Sequence, residues 1–437
     1  MRKIPMKVIP NGRYLVDDEG NPFFYLADTA WALFYKTTRE DADLYLQNRK
    51  KKGFTVVMAV LLRRKDTTAR NVYGDMPLLD WDPTQPNAAF FKYVDYVLNK
   101  AEELGLHVAL LPTWGELVGP GKGPIIFHTE NARTYGQFLG RRYWDKPIFW
   151  VLGGDRNPVS EDSIAVWRAM AEGIKAGDGG KHLMTFHTQA PFSSSRWLHD
   201  EPWLDFNMIQ TSTRLREKSH IHILADYNKT PTKPTLDGET RYENSHEVFS
   251  SHLISAGATP AGEKMTPYHV RKAAYSCMFS GAMGHTYGCR DVWSFYVPSD
   301  EKPDIDVDTW WKRAMDFPGA YQMGFLKQLL ADYPWYELVP DQTGEVIAGG
   351  SFVHQRLRYV PAAISVDRCF ALVYVPHNMR VCINMDIIAG GTIVAKWFNP
   401  RSGAYRFISE YANSGIEEFQ PPDDDVDPDY VLVLEAA

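Results

Sequence analysis

Short apolar runs recur along the chain as far as residue 339, and each ends in polar residues or glycine before a stretch of helical period. Eight such runs occupy residues 23–27, 54–61, 107–111, 148–152, 183–186, 206–211, 234–236 and 284–287. Runs that are apolar throughout are typical of strands buried on both faces of a parallel sheet. Eight strand and helix units predict a (β/α)8 TIM barrel with insertions. A doubly wound sheet is the alternative, but no GxGxxG follows the first run.

The pattern changes near residue 340. Six short runs are separated by turn residues without a helical stretch between them, at 345–348, 359–364, 370–375, 381–384, 392–398 and 430–434. This spacing is typical of an antiparallel β-sandwich. We therefore expect a barrel over residues 1–339 and a small β-sandwich over 340–437, with a closing helix within 321–338 docked between them.

The composition limits the kinds of molecule that the protein is expected to bind. The 437 residues include 47 Lys and Arg against 54 Asp and Glu, for a formal charge of −7. This balance argues against a nucleic-acid partner, because phosphate neutralisation needs a basic patch. No apolar run reaches the about 18 residues of a membrane-spanning helix, so we expect no membrane insertion. Aromatic residues make up 13% of the chain, with 13 Trp and 23 Tyr, which suits the stacking of sugars but also a large core.

In a TIM barrel the functional groups sit where the strands end, at the C-terminal face. The polar and aromatic residues that follow the eight runs are therefore the candidates. They are Asp28, Trp31, Arg63, Arg64, Asp66, Thr113, Trp114, Asp155, Arg156, Asn157, His187, Gln189, Gln210, Asp237, Glu239, His285, Tyr287 and Trp293. No GxSxG elbow, the sign of a nucleophilic serine, occurs among them.

Asp155 and Glu239 are the candidate catalytic pair. They follow the fourth and seventh runs, on separate walls of the barrel mouth, so their side chains can converge across it. Glycoside hydrolysis needs two carboxyl groups, one to protonate the leaving oxygen and one to attack the sugar or activate water. The alternative is structural: Asp155 would pair with Arg156 or Arg141, and Glu239 would cap a helix or form a salt bridge.

The remaining candidates are substrate-binding groups. Stacking walls of a sugar subsite are expected from Trp31, Trp114 and Trp293, although a tryptophan near a strand end often packs the rim instead. Hydroxyl-binding or site-facing positions are expected for Asp28, His187, Gln210, His285 and Tyr287. For each of these, a hydrogen-bonded place in the core is the alternative.

No metal or cofactor is expected. His220 and His222 form an HxH triplet, which on a strand would aim both imidazoles at one face. The surrounding residues 217–227 have a helical pattern, in which positions two apart point about 200° apart around the axis. Cys277, Cys289, Cys369 and Cys382 are too scattered for a disulfide framework and are expected to be core thiols, although one bridge is possible.

Seven segments carry a family resemblance. They are NGRYLVDDEGNPFFYLADTAW at 11–31, NVYGD at 71–75, LPTWG at 111–115, IFWVLGGDRNP at 148–158, DGETRYE at 237–243, GHTYG at 284–288 and WFNPRSG at 397–403. In these the chain resembles the clan A (β/α)8 glycoside hydrolases, and more closely the bacterial DUF4038-type proteins grouped with glycoside hydrolase family 140. The last segment is similar to the small β-domain that follows those barrels and is often labelled collagen-binding.

The resemblance implies a retaining, apiosidase-like glycosidase with Asp155 as acid/base and Glu239 as nucleophile, acting on plant cell-wall or pectin-type side chains. It also implies a periplasmic or secreted bacterial protein. Most clan A enzymes carry an Asn-Glu pair after the fourth strand, whereas this chain has Gly154 and Asp155, as in family 140. A non-catalytic carbohydrate- or protein-binding protein is the alternative from another class, and a metal-dependent hydrolase is the third hypothesis.

Overall fold

A computed structural model describes residues 6–9, 12–63, 69–119, 124–214, 218–247, 262–301, 303, 306–348, 359–422, 427 and 429–437. Within these ranges, no helix combines the length and the apolar character needed to cross a bilayer. Three short antiparallel strands, Lys7–Val8, Leu15–Val16 and Pro22–Phe23, precede the strands of the barrel.

Eight parallel strands form the first domain, which confirms the predicted barrel. They are β1 (Tyr25–Thr29), β2 (Val56–Val60), β3 (His107–Leu111), β4 (Ile148–Gly153), β5 (Met184–His187), β6 (Asn207–Gln210), β7 (Thr235–Glu239) and β8 (Gly284–Tyr287). The hydrogen-bonded order is β5-β4-β3-β2-β1-β8-β7-β6. Between β5 and β6 the Asp205 amide donates to the Met184 carbonyl at 2.8 Å, and Thr185 Oγ1 donates to the Phe206 carbonyl at 2.6 Å. These bonds bring the two end strands together.

Successive side chains on each strand point to opposite faces, which divides the core into two layers. Tyr25 and Ala27 on β1 point into the barrel and pack with Met58, Phe149 and Met208. The residues between them face the helices in a larger apolar cluster, which includes Leu26, Val57, Leu110, Trp150 and Phe186. A polar residue in a strand therefore reaches the barrel interior only at an inward-facing position.

Helices cover the outside of the barrel. The longer ones are α1 (Arg39–Lys51), α2 (Ala88–Glu103), α3 (Thr129–Tyr143), α4 (Glu161–Asp178), α5 (Ser219–Tyr227), α6 (Pro267–Met278) and α7 (Pro318–Asp332). Short turns of helix lie at Leu33–Lys36, Gly115–Leu117, Ser195–Leu198, Arg290–Trp293, Trp311–Ala314 and Trp335–Glu337. Helix α1 begins after Thr38, whose side chain accepts a hydrogen bond from the Asp41 amide.

The second domain is antiparallel throughout. Its strands are β9 (Leu338–Pro340), β10 (Ala362–Ser365), β11 (Phe370–Val375), β12 (Val381–Asn384), β13 (Thr392–Asn399), β14 (Ala404–Ala412), β15 (Ile416–Phe419) and β16 (Tyr430–Ala436). Six of them form a sheet in the order β9-β10-β11-β16-β13-β14, and β12 pairs with β15. Two expectations are corrected. The run 345–348 contributes an isolated bridge between Ile347 and Ile383 rather than a strand, and of the four cysteines Cys369 is exposed and Cys382 half-buried rather than in the core.

A buried ion pair joins the two domains. Arg271 on α6 donates through Nε and Nη2 to the two carboxylate oxygens of Asp429, at 2.8 and 2.6 Å. Tyr374 on β11 also donates to Asp429, at 2.9 Å, and Arg271 reaches Gln322 on α7 at 2.7 Å. Since both charged groups are almost fully buried, this network requires the β-domain to be docked on α6 and α7.

Candidate active site

Asp155 is placed by a tight turn directly after β4. Gly153, Gly154 and Asp155 all have positive φ, at +85°, +116° and +48°. A Cβ on Gly154 would lie 2.7 Å from the indole ring of Trp114, so this position needs glycine for space as well as conformation. The turn directs Asp155 over the barrel mouth while leaving it partly accessible.

The Asp155 carboxyl accepts a hydrogen bond from a neighbouring strand end. Gln210 Nε2, at the end of β6, donates to Asp155 Oδ1 at 2.7 Å. Burial, followed by the negative charge of Glu239, raises the pKa of Asp155 to about 6, against the opposing effects of His187 and Gln210. The ion pair that the structural alternative required is absent from the described contacts of Asp155. Arg156 instead donates to the backbone carbonyl of Asp155, and its guanidinium lies 3.7 Å from the Glu116 carboxylate.

Glu239 ends β7, and an irregularity of the strand sets its direction. The pairing register of β7 with β6 shifts between Asp237 and Glu239, as in a β-bulge. Asp237 faces the helices, where Thr211 Oγ1 donates to it at 2.5 Å. Glu239 faces the barrel mouth instead and is 7% exposed. A bulge re-aims side chains in this way, so the two acids of one strand serve different layers.

His187 lies at the end of β5 against Glu239. Its Nε2 is 3.2 Å from Glu239 Oε2, although the two atoms are not aligned as a hydrogen bond. Burial by itself lowers the pKa of His187, but Glu239, Asp155 and Asp237 together outweigh it, and the net shift is upward. One ligand atom from each of Asp155, His187 and Glu239 lies within 4.8 Å of the other two. Among the described residues, this is the one set of three such groups close enough to share a cation.

Aromatic rings form one wall of the site. Trp31 and Trp114 meet edge to face, with ring centroids 5.1 Å apart, and both contact His187. Trp31 Nε1 donates to the hydroxyl of Tyr242 at 3.2 Å, and Tyr242 lies 6.4 Å from Trp293 between ring centroids. These rings make an apolar surface beside two carboxyl groups, which suits a sugar ring.

Tyr242 was not predicted as a site residue. The available signal was its position three residues after Glu239, within the segment 237–243 that carries the resemblance. Trp293 lies at the margin of the site, with Arg63 5.2 Å from its ring. Arg64 and Asp66, two further candidates from the second strand end, lie outside the described residues.

Asp28 does not lie in the site, which corrects its expected role. It faces α1 from the outer side of β1, fully buried. Tyr45 donates to it at 2.5 Å, and Arg49 Nε lies 3.5 Å away. The position after an apolar run was read correctly as a strand end, but its side chain points away from the barrel axis. The sequence shows where a strand ends. Whether a side chain there points into the barrel or toward the helices depends on its place in the alternation along the strand.

His285 and Tyr287 on β8 are corrected for the same reason. Tyr287 faces outward and donates to Glu243 at 2.5 Å, beside Phe54. His285 is two residues earlier and so shares that face; it pairs in register with the outward-facing Asp237. Burial lowers the pKa of His285 to about 3, so its imidazole is uncharged at neutral pH. Neither residue reaches the two carboxyl groups.

The HxH triplet is also outside the site. His220 and His222 lie on α5, which confirms the predicted helix. The ring of His220 stacks on Tyr359 with centroids 3.9 Å apart. Burial lowers its pKa to about 3. The six predicted residues that the structure does bring together are Trp31, Trp114, Asp155, His187, Gln210 and Glu239.

Two family models match the chain. Residues 9–337 match the family model described as "Apiosidase-like, catalytic domain". The chain belongs to the apiosidase-like family. Residues 339–435 of this apiosidase-like protein match a second model, described as "Putative collagen-binding domain of a collagenase". No curated protein matches the chain significantly. Membership in the apiosidase-like family makes the protein a glycoside hydrolase, as predicted.

Solved structures similar to this apiosidase-like protein share its whole architecture. One described as a glycoside hydrolase is 29% identical, with a TM-score of 0.87, and the match covers 99% of this chain and 97% of that one. Another, described as a glycoside hydrolase family 5 protein from Bacteroides vulgatus ATCC 8482, is also 29% identical with a TM-score of 0.87, covering 99% and 93%. The barrel and the β-domain therefore occur together in both relatives.

Proposed function

We propose that this protein is a retaining glycoside hydrolase with Asp155 as acid/base and Glu239 as nucleophile, acting on plant cell-wall or pectin-type side chains. The observation that carries the proposal is the convergence of these two carboxyl groups, one oxygen of each lying within 4.8 Å of one oxygen of the other. Carboxyl groups about 5 to 5.5 Å apart are typical of retaining enzymes, whereas inverting enzymes need about 6.5 to 9.5 Å to admit a water molecule. The close approach of one oxygen from each group favours the closer, retaining arrangement.

The protonation of Asp155 supports the same division of roles. Burial and the charge of Glu239 raise the pKa of Asp155 to about 6, so Asp155 holds its proton in mildly acidic solution. A general acid must be protonated when the glycosidic bond breaks, and its nucleophilic partner must be ionised. The imidazole of His187 lies 3.2 Å from Glu239 Oε2, so a basic group faces the proposed nucleophile.

The reaction proceeds in two steps. Glu239 attacks the anomeric carbon, the bond to the leaving oxygen breaks, and the proton of Asp155 passes to that oxygen. Asp155, now ionised, takes a proton from water as the water oxygen attacks the same carbon, and the ester bond to Glu239 breaks. Two inversions at one carbon return the original anomeric configuration.

The substrate class rests on the family and on the aromatic wall. Trp31, Trp114 and Tyr242 pack beside the carboxyl pair, and Trp114 is the most accessible of the three rings. Stacking on such rings holds the apolar face of a sugar while leaving its hydroxyls to polar side chains. Pectin-derived and other plant cell-wall oligosaccharides are accordingly the substrates to screen.

The decisive experiment replaces each carboxyl by its amide. Asp155→Asn and Glu239→Gln are expected to lower kcat by at least about 10³-fold on a natural oligosaccharide, with an unchanged thermal transition, because general acid catalysis and the nucleophile are lost. Glu116→Gln, a partly buried acid of the same mouth, is the matched control. NMR of the first product should give the anomer of the substrate. Inverted product would refute retention, and full activity in the double amide variant would refute the pair.

A metal-dependent hydrolase is favoured by one observation, the three-donor set of Asp155, His187 and Glu239. Dialysis against EDTA separates the two functions. The two-carboxylate reaction needs no Lewis acid, so we expect full activity after chelation. Loss of activity that Zn²⁺ restores would favour the metal-dependent alternative.

A further inference from the structure

His187 occupies an unusual place for a buried imidazole. It is fully buried at the end of β5, with the ring of Trp31 5.5 Å away at 89° and that of Trp114 5.9 Å away. Within the described part of the chain, neither ring nitrogen has an aligned hydrogen-bond partner, yet Nε2 lies 3.2 Å from Glu239 Oε2. The surrounding rings therefore hold the imidazole against the carboxyl group, within ion-pairing distance of it.

We propose that His187 is a positioning residue that serves as the counter-ion of Glu239 in both steps of the reaction. This inference rests on the proposed retaining mechanism and goes beyond it. It gives the nearly buried carboxyl of Glu239 a cationic neighbour where, among the described residues, no arginine or lysine lies within ion-pairing distance.

The charges around His187 support an imidazolium at this position. Glu239 and Asp237 act on it from β7, and Asp155 acts on it from the turn after β4. Gln210 on β6 and the indoles of Trp31 and Trp114 contribute no charge. Arg156 acts on Asp155, and Tyr242 is kept neutral by burial, which raises its pKa. Three acids therefore favour one buried cation.

The consequence differs between the two steps. In the first step Glu239 gives its electron pair to the anomeric carbon, so the negative charge beside His187 is neutralised. In the second step water attacks that carbon, its proton goes to Asp155, and the electron pair of the ester bond returns to Glu239. A neighbouring imidazolium stabilises the departing carboxylate in this second step, so its loss should slow deglycosylation most.

The charge state can be measured without any substrate. In protein labelled with ¹⁵N-histidine, we expect one imidazolium signal at pH 7 that disappears in His187→Gln. The same signal should become that of a neutral imidazole in Glu239→Gln, because the largest source of its upward pKa shift is gone. The signal of His246, which contacts Asp306, is the internal control. A His187 signal that titrates identically in the wild type and in Glu239→Gln would overturn the proposal.

Kinetics provide the second readout. With an aryl glycoside that carries a good leaving group, His187→Gln is expected to lower kcat and KM together, and the glycosyl-enzyme should accumulate in intact mass spectra. The acid limb of kcat/KM should move to higher pH. His187→Phe, which keeps the ring packing, is the second variant if His187→Gln folds poorly. Unchanged kcat and no accumulation would overturn the role. Inactivity of the wild type on every glycoside would instead refute the proposed function, while the charge coupling stayed measurable.

Discussion

Gln210 Nε2 donates a 2.7 Å hydrogen bond to Oδ1 of Asp155, which links the ends of β6 and β4 across the barrel mouth. The bond stabilises the ionised carboxylate and so lowers the pKa of Asp155, while burial and Glu239 raise it. The resulting value of about 6 is therefore a balance that single substitutions can move in either direction.

Gln210→Met should raise the pKa of Asp155. The thioether cannot donate, so the ionised form loses its hydrogen bond while the volume is nearly kept. Asp155 then holds its proton to higher pH, and the alkaline limb of the kcat/KM profile moves upward. An alkaline limb that stays in place or moves downward would contradict this account.

Glu239→Gln should have the opposite effect. Removing the charge of Glu239 removes the second largest cause of the upward shift, so the pKa of Asp155 falls and its proton is lost at lower pH. Since this variant lacks the proposed nucleophile, the measurement is a ¹³C NMR titration of the Asp carboxyl carbons, with Asp155→Asn to assign the signal. A titration unchanged from the wild type would mean that the two carboxyl groups are not coupled.

Asp28→Asn should destabilise the fold without changing the chemistry. The substitution leaves Arg49 charged and buried, which costs on the order of 3 kcal/mol when one partner of a buried pair is removed. We expect a lower denaturation midpoint in urea and wild-type kcat for the folded enzyme. A large loss of kcat at unchanged stability would show that Asp28 acts in the active site and would contradict its structural role.

Gly154→Ala should impair both stability and activity. Alanine is strained at φ +116°, and its Cβ would meet the Trp114 ring at 2.7 Å, so the turn that carries Asp155 must shift. We expect kcat to fall at least about 10-fold, since small displacements of a reacting group cost that much. Gly20→Ala is the matched control, with φ +85° and open space around the added methyl. Equal losses of stability and kcat in the two variants would mean that backbone strain alone, and not the contact with Trp114, causes them.

Asp429→Asn should destabilise the barrel and the β-domain together. The variant leaves the buried Arg271 without its charged partner, at a cost of about 3 to 5 kcal/mol. Calorimetry is expected to show one transition shifted to lower temperature, because the ion pair joins α6 to the β-domain. Two separate transitions, of which only that of the β-domain is shifted, would show that the two domains unfold independently.

The sequence determined the architecture because apolar runs and helical periods are local patterns. Runs such as 54–61 and 148–152 became β2 and β4, and helix α5 carries the HxH triplet as expected. The same reasoning placed Asp155 and Glu239 at strand ends, which is where a barrel gathers functional groups. Resemblance then supplied their expected roles.

Tertiary structure decided which side chains meet. Asp28, His285 and Tyr287 follow or belong to strands, as predicted. Their side chains occupy outward-facing positions, however, and so point toward the helices instead of into the barrel. Glu239 reaches the mouth through a register shift in β7 that no residue pattern announces, and Asp155 reaches it through three successive positive φ angles. The contact between His187 and Glu239 joins β5 to β7 across the barrel. Such contacts depend on strand pairing and on local backbone irregularities, which a one-dimensional pattern does not encode.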